Sequence, residues 1–206
     1  MILYCVRHGE TVANAAGRIQ GQTDSPLSDL GRRQCQAVAA ALAGQPIEAV
    51  YSSPLQRALD SAKCVAEALQ VAIHVDERLM EINAGVFQGL SWPEIDDRYA
   101  SEAARWRSHD PDFRIPHGES RRDLMRRAGE AFAAVREAGH AQALIVAHGG
   151  SLAAALKALL GVPAERNPFS FYNGSISRLV WESEVKLQTF NQLDHLQGLI
   201  GGSGDL

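Results

Sequence analysis

The chain has 206 residues, of which 46% are hydrophobic and 21% are charged. This composition is typical of a globular protein and excludes disordered, collagen-like and coiled-coil chains. A formal net charge of -4 provides no overall positive field for a nucleic acid or an anionic membrane, so we expect neither as a partner. The apolar runs are far shorter than the roughly 20 residues that cross a bilayer. Residues 1–6 are too short for a signal-peptide core, and we expect a cytoplasmic protein.

Short apolar runs alternate with helical patterns along the first half of the chain. Residues 2–6 predict a first strand, which a glycine-rich loop follows. Ser28 can cap the next segment, where apolar residues at helical spacing predict an amphipathic helix. Residues 49–52 predict a second buried strand, and Pro54 marks the start of a second helix.

The same alternation continues through the second half. Residues 78–110 have poor periodicity and are expected to be irregular or weakly helical. Ser120 and Asp123 resemble a capping pair at the start of another helix. Further strands are predicted at residues 71–75, 143–147, 176–182 and 185–191. A tight turn joins the last two strands, which predicts an antiparallel edge.

These elements predict an α/β protein with three layers, α/β/α, around a mostly parallel sheet that has an antiparallel edge. No linker or repeat divides the pattern, so we expect one domain over residues 1–197 and a flexible Gly-rich tail over 198–206. Cys5, Cys35 and Cys64 are an odd number of cysteines without metal-like spacing. We therefore expect buried, reduced thiols.

Charged and histidine side chains follow the predicted strands where those strands end. Arg7 and His8 follow the first strand, Arg57 lies just beyond the second, and His148 follows the strand at 143–147. The carboxyl ends of parallel strands form the ligand side of such a sheet, so we expect these residues to converge. An arginine pair can hold phosphoryl oxygens with bidentate hydrogen bonds. A neutral imidazole beside it is a candidate nucleophile toward phosphorus, because positive neighbours disfavour its protonation.

Each of these residues also has an ordinary structural interpretation when it is taken alone. A histidine near a strand end is commonly a satisfied structural residue, and an arginine at a helix start is commonly solvated. We assign structural roles to five histidines, His74, His109, His117, His140 and His195. Spacing by itself does not name a reaction.

Several sequence blocks narrow the possibilities. Residues 6–11 read Val-Arg-His-Gly-Glu-Thr, and residues 52–58 read Ser-Ser-Pro-Leu-Gln-Arg-Ala. Later blocks are Pro-His-Gly-Glu-Ser at 116–120 and Ala-His-Gly at 147–149. In this order they closely resemble the histidine phosphatase superfamily, also called phosphoglycerate mutase-like. The resemblance covers nearly all of residues 1–161.

The resemblance implies roles for particular residues. His8 would be the nucleophile that becomes phosphorylated, Glu81 would be the general acid, and Arg7, Arg57 and His148 would bind the transferring group. Further substrate contacts are implied for Thr11, Asn14, Gln20, Gly21 and Gly149. The family's reactions use no metal, so we expect neither a metal nor a cofactor.

Departures from the family's mutases favour hydrolysis. Mutases follow the acid with an arginine and, two residues on, a tyrosine, whereas this chain has Ile82 and Ala84. Mutases also carry His-Gly-Asn where this chain has Gly150 in third place. We therefore expect a phosphatase of the superfamily, either monomer or homodimer. Its substrate would be a small phosphorylated metabolite such as a sugar phosphate, a phosphoglycerate conjugate or α-ribazole phosphate.

Substrate choice is expected to depend on residues 91–117, which would form a lid over the pocket. The candidates for leaving-group contacts are Trp92, Arg105, Trp106, Arg107 and Arg114. Three other functions stay open. The chain could be a cofactor-dependent phosphoglycerate mutase, a zinc hydrolase that uses His8, Glu81 and His148, or a non-catalytic module that binds phosphoesters.

Overall fold

A computed structural model describes residues 1–201 of the chain. Within this part, six strands form one sheet in the order β3-β2-β4-β1-β5-β6. Their bounds are β1 Ile2–Arg7, β2 Ala49–Ser52, β3 Ile73–Val75, β4 Gln142–Ala147, β5 Ile176–Trp181 and β6 Val185–Gln192. Strands β1 to β4 pair in parallel, and β5 and β6 pair antiparallel at one edge. The predicted sheet architecture is confirmed.

Helices cover both faces of this sheet. The α-helices are α1 Val12–Ala15, α2 Asp29–Leu42, α3 Gln56–Leu69, α4 Trp92–Arg98, α5 Ala100–Arg107, α6 Arg121–Glu137 and α7 Gly149–Leu160. Apolar residues of α2 and α3 pack on one face of the central strands, and residues of α5, α6 and α7 pack on the other. Alternate residues of β1 point to opposite layers, since Cys5 lies in one cluster and Val6 in the other. This burial on both faces explains why β1 and β4 read as continuous apolar runs.

Local hydrogen bonds account for most differences from the predicted bounds. The third strand begins at Ile73 rather than at residue 71, because the Val71 amide donates to Ala66 O and closes the end of α3. Gln70 takes a left-handed conformation there, with φ of 56°. The segment 78–110 contains α4 and α5, and a capping box of Ser91 and Glu94 begins α4.

The remaining expectations concern the termini and the cysteines. Residues 202–206 of the predicted tail lie outside the described residues. Before them, Leu199 O accepts a hydrogen bond from Gln34 Nε2 at 2.7 Å. Cys5 and Cys35 are buried free thiols, and Cys64 is a half-buried one. Within residues 1–201, no helix is long and apolar enough to cross a membrane.

Candidate active site

Three parallel strands bring the predicted site residues to one edge of the sheet. Arg7 ends β1 opposite Ala147 of β4, so the next residues in the chain, His8 and His148, lie side by side. Their ring centroids are 5.1 Å apart in an edge-to-face arrangement. Ser53, which follows β2, shares a 2.8 Å hydrogen bond between its Oγ and His148 Nε2. The register of the parallel strands therefore places His8, His148 and Ser53 next to one another.

The backbone of the following loop fixes the tautomer of His8. Its Nδ1 lies 2.7 Å from Gly9 O, and a carbonyl can only accept, so Nδ1 carries the proton. The loop is held in turn, because the Gly9 amide donates to Ser61 Oγ at 3.0 Å. A Cβ at Gly9 would lie only 2.5 Å from Gly31 O, so this approach requires glycine. The Nε2 lone pair of His8 is left available.

Both histidines are buried next to positive charge, which keeps them neutral. Burial lowers the pKa of His8 well below 6.5, and the charges of Arg57 and Arg7 lower it further. Burial likewise lowers the pKa of His148, with contributions from Arg57, His8 and Arg7. An uncharged His8 at neutral pH has the free electron pair that a nucleophile needs.

Backbone carbonyls hold the two guanidinium groups in place. Arg57 is 1% exposed and donates from Nη2 to Gly21 O at 2.6 Å and from Nη1 to Thr23 O at 2.8 Å. Arg7 is 2% exposed and donates from Nη1 to Phe171 O. Burial lowers the pKa of Arg57 to about 10, so it remains charged at neutral pH. Within residues 1–201, the buried Nε of Arg57 has no hydrogen-bond acceptor.

The Glu81 carboxylate is anchored by two backbone amides. Oε1 accepts from Ile82 N at 2.8 Å, and Oε2 accepts from Gly150 N at 2.9 Å, in the first turn of α7. A Cβ at Gly150 would lie 2.3 Å from Glu81 Oε1, so the carboxylate occupies the space that a side chain there would need. Arg127 holds the segment from outside, with hydrogen bonds to the carbonyls of Met80 and Glu81.

Polar side chains from the loop after β1 complete the rim. Thr11 caps α1, and its Oγ1 lies 3.0 Å from both Asn14 Oδ1 and Gln20 Oε1, so its single proton is donated to one of these two oxygens. Asn173 also donates to Asn14 Oδ1, at 3.4 Å. Asn14 Oδ1 also accepts from the Thr11 amide at 3.1 Å, so this oxygen is held by the backbone of the loop.

One cavity that is open to solvent contains most of the predicted site residues in its wall. Eight of the ten predicted residues line it: Arg7, His8, Asn14, Gln20, Gly21, Arg57, Glu81 and Gly149. Thr11 and His148 are not part of its wall and lie behind it, fully buried. The five histidines assigned to structural roles are absent from the wall. Within residues 1–201, no three His, Cys, Asp or Glu side chains are grouped to hold a metal ion.

The segment 91–117 contributes less to the cavity than expected. Trp106 lines it, whereas the other four candidates point elsewhere. Arg107 pairs with Asp96 and Arg114 with Asp123 in exposed ion pairs. The charges of Arg107 and Arg114 are therefore paired at the surface and do not face the cavity. The remaining two candidates, Trp92 and Arg105, contact the side chains of Arg107 and Phe113 respectively.

Two charged residues in the cavity wall were not predicted from the sequence. Arg121, the first residue of α6, and Lys157 of α7 both line the wall. Lys157 is the only charged residue in the twelve-residue α7. A single cation in an otherwise apolar helix is a sequence signal that could have identified it. Arg121 gave no such signal, because it stands in a run of arginines and acidic residues.

Comparison with known proteins decides the family. The profile of the histidine phosphatase superfamily (branch 1) matches residues 3–192. The chain belongs to this superfamily. The predicted resemblance is confirmed, and the alignment spans the strands, the loop after β1 and both histidine-bearing strand ends.

Individual members of the histidine phosphatase superfamily are similar over most of their length. "Probable phosphoglycerate mutase GpmB" of Yersinia pestis is 39% identical over 187 residues, 87% of this chain and 85% of that protein. The structure of Bacillus stearothermophilus YhfR has a TM-score of 0.89 at 28% identity, covering 95% of this chain and 98% of that one. Mycobacterial glucosyl-3-phosphoglycerate phosphatase, solved with VO3, has a TM-score of 0.84 at 33% identity, covering 92% and 98%. Similar proteins thus carry both mutase and phosphatase names.

The neutral state of the two histidines predicts a pH dependence of stability. In the unfolded chain both titrate near 6.5, whereas the folded pKa values lie well below that. Below pH 6.5 the unfolded chain binds protons that the folded protein excludes, so the free energy of unfolding falls as pH falls. The slope is up to about 1.4 kcal/mol per pH unit for each histidine.

Urea unfolding at pH 7 and pH 5 measures this effect. We expect a lower free energy of unfolding at pH 5, and a smaller difference between the two pH values in His8→Ala than in the wild type. An equal difference in both proteins would contradict a neutral, buried His8.

Proposed function

We propose that this protein is a metal-independent phosphomonoesterase that hydrolyses a small phosphorylated metabolite through a phosphohistidine at His8. The observation that carries the proposal is the fixed tautomer of His8 between two buried guanidinium groups. Its Nδ1 proton is committed to Gly9 O at 2.7 Å, and burial with Arg57 and Arg7 depresses its pKa. Nε2 is therefore an unprotonated nucleophile beside groups that bind a phosphoryl anion.

In the first step, His8 Nε2 attacks phosphorus and the bond to the ester oxygen breaks. Arg7 and Arg57 stabilise the charge on the equatorial oxygens. Glu81, in its protonated form, gives a proton to the departing alkoxide. An alcohol and a phosphohistidine result, and no metal ion is required to balance the charge.

In the second step, water attacks the phosphohistidine from the position that the alcohol has left. Glu81, now a carboxylate, accepts a proton from this water as the bond to phosphorus forms. The bond between phosphorus and His8 Nε2 breaks, and inorganic phosphate leaves. The amides of Ile82 and Gly150 fix the carboxylate for both proton transfers.

Two apolar side chains favour water over a second phosphoglycerate as the acceptor. Ile82 and Ala84 stand where the family's mutases place an arginine and a tyrosine, and both are buried. Neither can hydrogen-bond a carboxylate. The similarity to glucosyl-3-phosphoglycerate phosphatase is consistent with this choice.

Phosphate release with and without a chelator tests the proposal. We expect hydrolysis of p-nitrophenyl phosphate and glycerol 3-phosphate that EDTA leaves unchanged. NMR should show no interconversion of 3- and 2-phosphoglycerate. Loss of activity in EDTA with recovery on added zinc would favour the zinc hydrolase, and interconversion would favour the mutase. An inactive protein that binds phosphate would favour the non-catalytic module.

A further inference from the structure

The cavity contains a second pair of cations that the proposed reaction does not use. Arg121 and Lys157 line the wall on the side of α6 and α7, with Trp106 and Leu124 beside them. Both are substantially buried, and Lys157 is only 4% exposed. Burying a cation costs free energy unless a partner compensates it, so each position requires an explanation.

Arg121 is held by a ring rather than by a carboxylate. Its Cζ lies 3.3 Å from the centroid of the Trp106 ring. Its Nη1 is buried and has no hydrogen-bond acceptor among residues 1–201. The charge of Asp110 acts on the guanidinium and raises its pKa, against the larger effect of burial. Burial lowers its pKa to about 10, which leaves it charged at neutral pH. The next residue, Arg122, differs in every respect, since it is exposed and paired with Asp112.

Lys157 directs a partly satisfied ammonium into the same space. Nζ donates to Ala164 O at 3.1 Å, which uses one of its three protons. Burial lowers its pKa, and the charge of Arg121 lowers it further, so the two cations repel each other. The opposite charge of Glu165 has a smaller effect and raises the pKa. An anion between them would remove that repulsion.

The face of α7 connects this pair with the phosphoryl site. Gly149, Ala153 and Lys157 recur every four residues and all line the cavity, so they form one stripe. The glycine and the alanine leave room along the stripe. Lys157 lies two turns, about 12 Å along the axis, from Gly149, and its Nζ contacts Ala164 O in the loop after α7. His8, Arg121 and Lys157 line the same cavity.

We propose that Arg121 and Lys157 bind a second anionic group, a carboxylate or a phosphate, carried by the leaving group of the substrate. This inference rests on the proposed function and extends it to a substrate class, phosphomonoesters with an anionic leaving group. Trp106 holds the Arg121 guanidinium in position for this contact. The ester phosphate would occupy the site of Arg7, Arg57 and His8.

A matched pair of substrates and a matched pair of variants test this subsite. 3-Phosphoglycerate and glycerol 3-phosphate differ by a carboxylate in place of a hydroxymethyl group. For Arg121→Gln we expect kcat/KM on 3-phosphoglycerate to fall about 10- to 100-fold, the range for lost hydrogen bonds to a charged group. On glycerol 3-phosphate we expect less than about a threefold change. Arg122→Gln, with the same change in charge, should alter neither.

Further variants separate charge from folding. Arg121→Lys keeps the cation and should retain more of the 3-phosphoglycerate activity than Arg121→Gln. Lys157→Gln should show the same selective loss as Arg121→Gln. A comparison of kcat/KM on fructose 1,6-bisphosphate and on fructose 6-phosphate tests whether the second anion is a phosphate. Selective loss in either substrate pair supports the proposal and identifies the anion.

Binding provides a readout that does not depend on turnover. Calorimetry on the His8→Ala variant should show tighter binding of 3-phosphoglycerate than of glycerol 3-phosphate. In the double variant that also carries Arg121→Gln, the two affinities should be equal. This result would support the subsite even if the wild type released no phosphate, an outcome that would overturn only the phosphatase proposal. Equal losses on both members of each pair, or no loss on any, would overturn the subsite.

Discussion

His8→Ala is expected to lower kcat for phosphate release by about 10⁴-fold or more, the scale on which removal of an enzymic nucleophile acts. The side chain supplies an unprotonated nitrogen beside Arg7 and Arg57. Without it, the first step of the proposed reaction has no atom to accept the phosphoryl group. Steady-state rates on p-nitrophenyl phosphate measure the loss.

The fold should survive this substitution. His8 lies at the end of β1, and its ring makes one hydrogen bond, to Gly9 O. The core clusters on both faces of the sheet do not include it. We expect an unchanged circular dichroism spectrum, and full activity in a control, His74→Ala, whose side chain is exposed on β3. Activity within tenfold of wild type in folded His8→Ala would contradict the nucleophile assignment.

Glu81→Gln is expected to slow esters in proportion to how poorly their alcohol leaves. An alkoxide such as that of glycerol 3-phosphate needs a proton in the transition state, so we expect a loss of about 10²- to 10³-fold. The p-nitrophenolate ion leaves without help, so the loss of kcat/KM on that ester, which reports the first step alone, should stay below about tenfold. A series of aryl and alkyl esters gives the dependence of rate on leaving-group pKa.

The matched control is Glu77→Gln, an exposed carboxylate four residues earlier. It should leave both rates unchanged. If Glu81→Gln slowed alkyl and aryl esters equally, the residue would be acting on phosphoryl binding or on positioning, and its role as the acid would be wrong.

The sheet and the position of the site at its edge follow from local sequence signals. The buried strands β1 and β4 are apolar on both faces, so each is visible in the sequence as a continuous apolar run. The polar residues that follow each run can be read directly from the sequence. Parallel pairing then forces Arg7 and His148 to one edge without any knowledge of packing. For this reason the predicted residues around His8 meet in the structure.

Features that depend on tertiary contacts could not be predicted in the same way. The one-turn helix α1 forms through reciprocal capping between Thr11 and Asn14. The helix is too short for its sequence to show a helical periodicity. Helices α4 and α5 depend on burial of residues such as Ile95 and Trp106. Whether an arginine reaches the cavity or the surface is decided by packing, as Arg121 and Arg122 show. Neighbouring residues of one type have opposite environments there.

Trapping the covalent intermediate tests the central claim most directly. Enzyme that is turning over a phosphomonoester is quenched in base, which preserves phosphohistidine, and its peptides are analysed by mass spectrometry. We predict one phosphoryl group on His8, in the peptide that follows β1, and none in His8→Ala protein treated in the same way. A protein that turns over with no phosphorylated histidine, or with the phosphoryl group on another residue, would contradict the account.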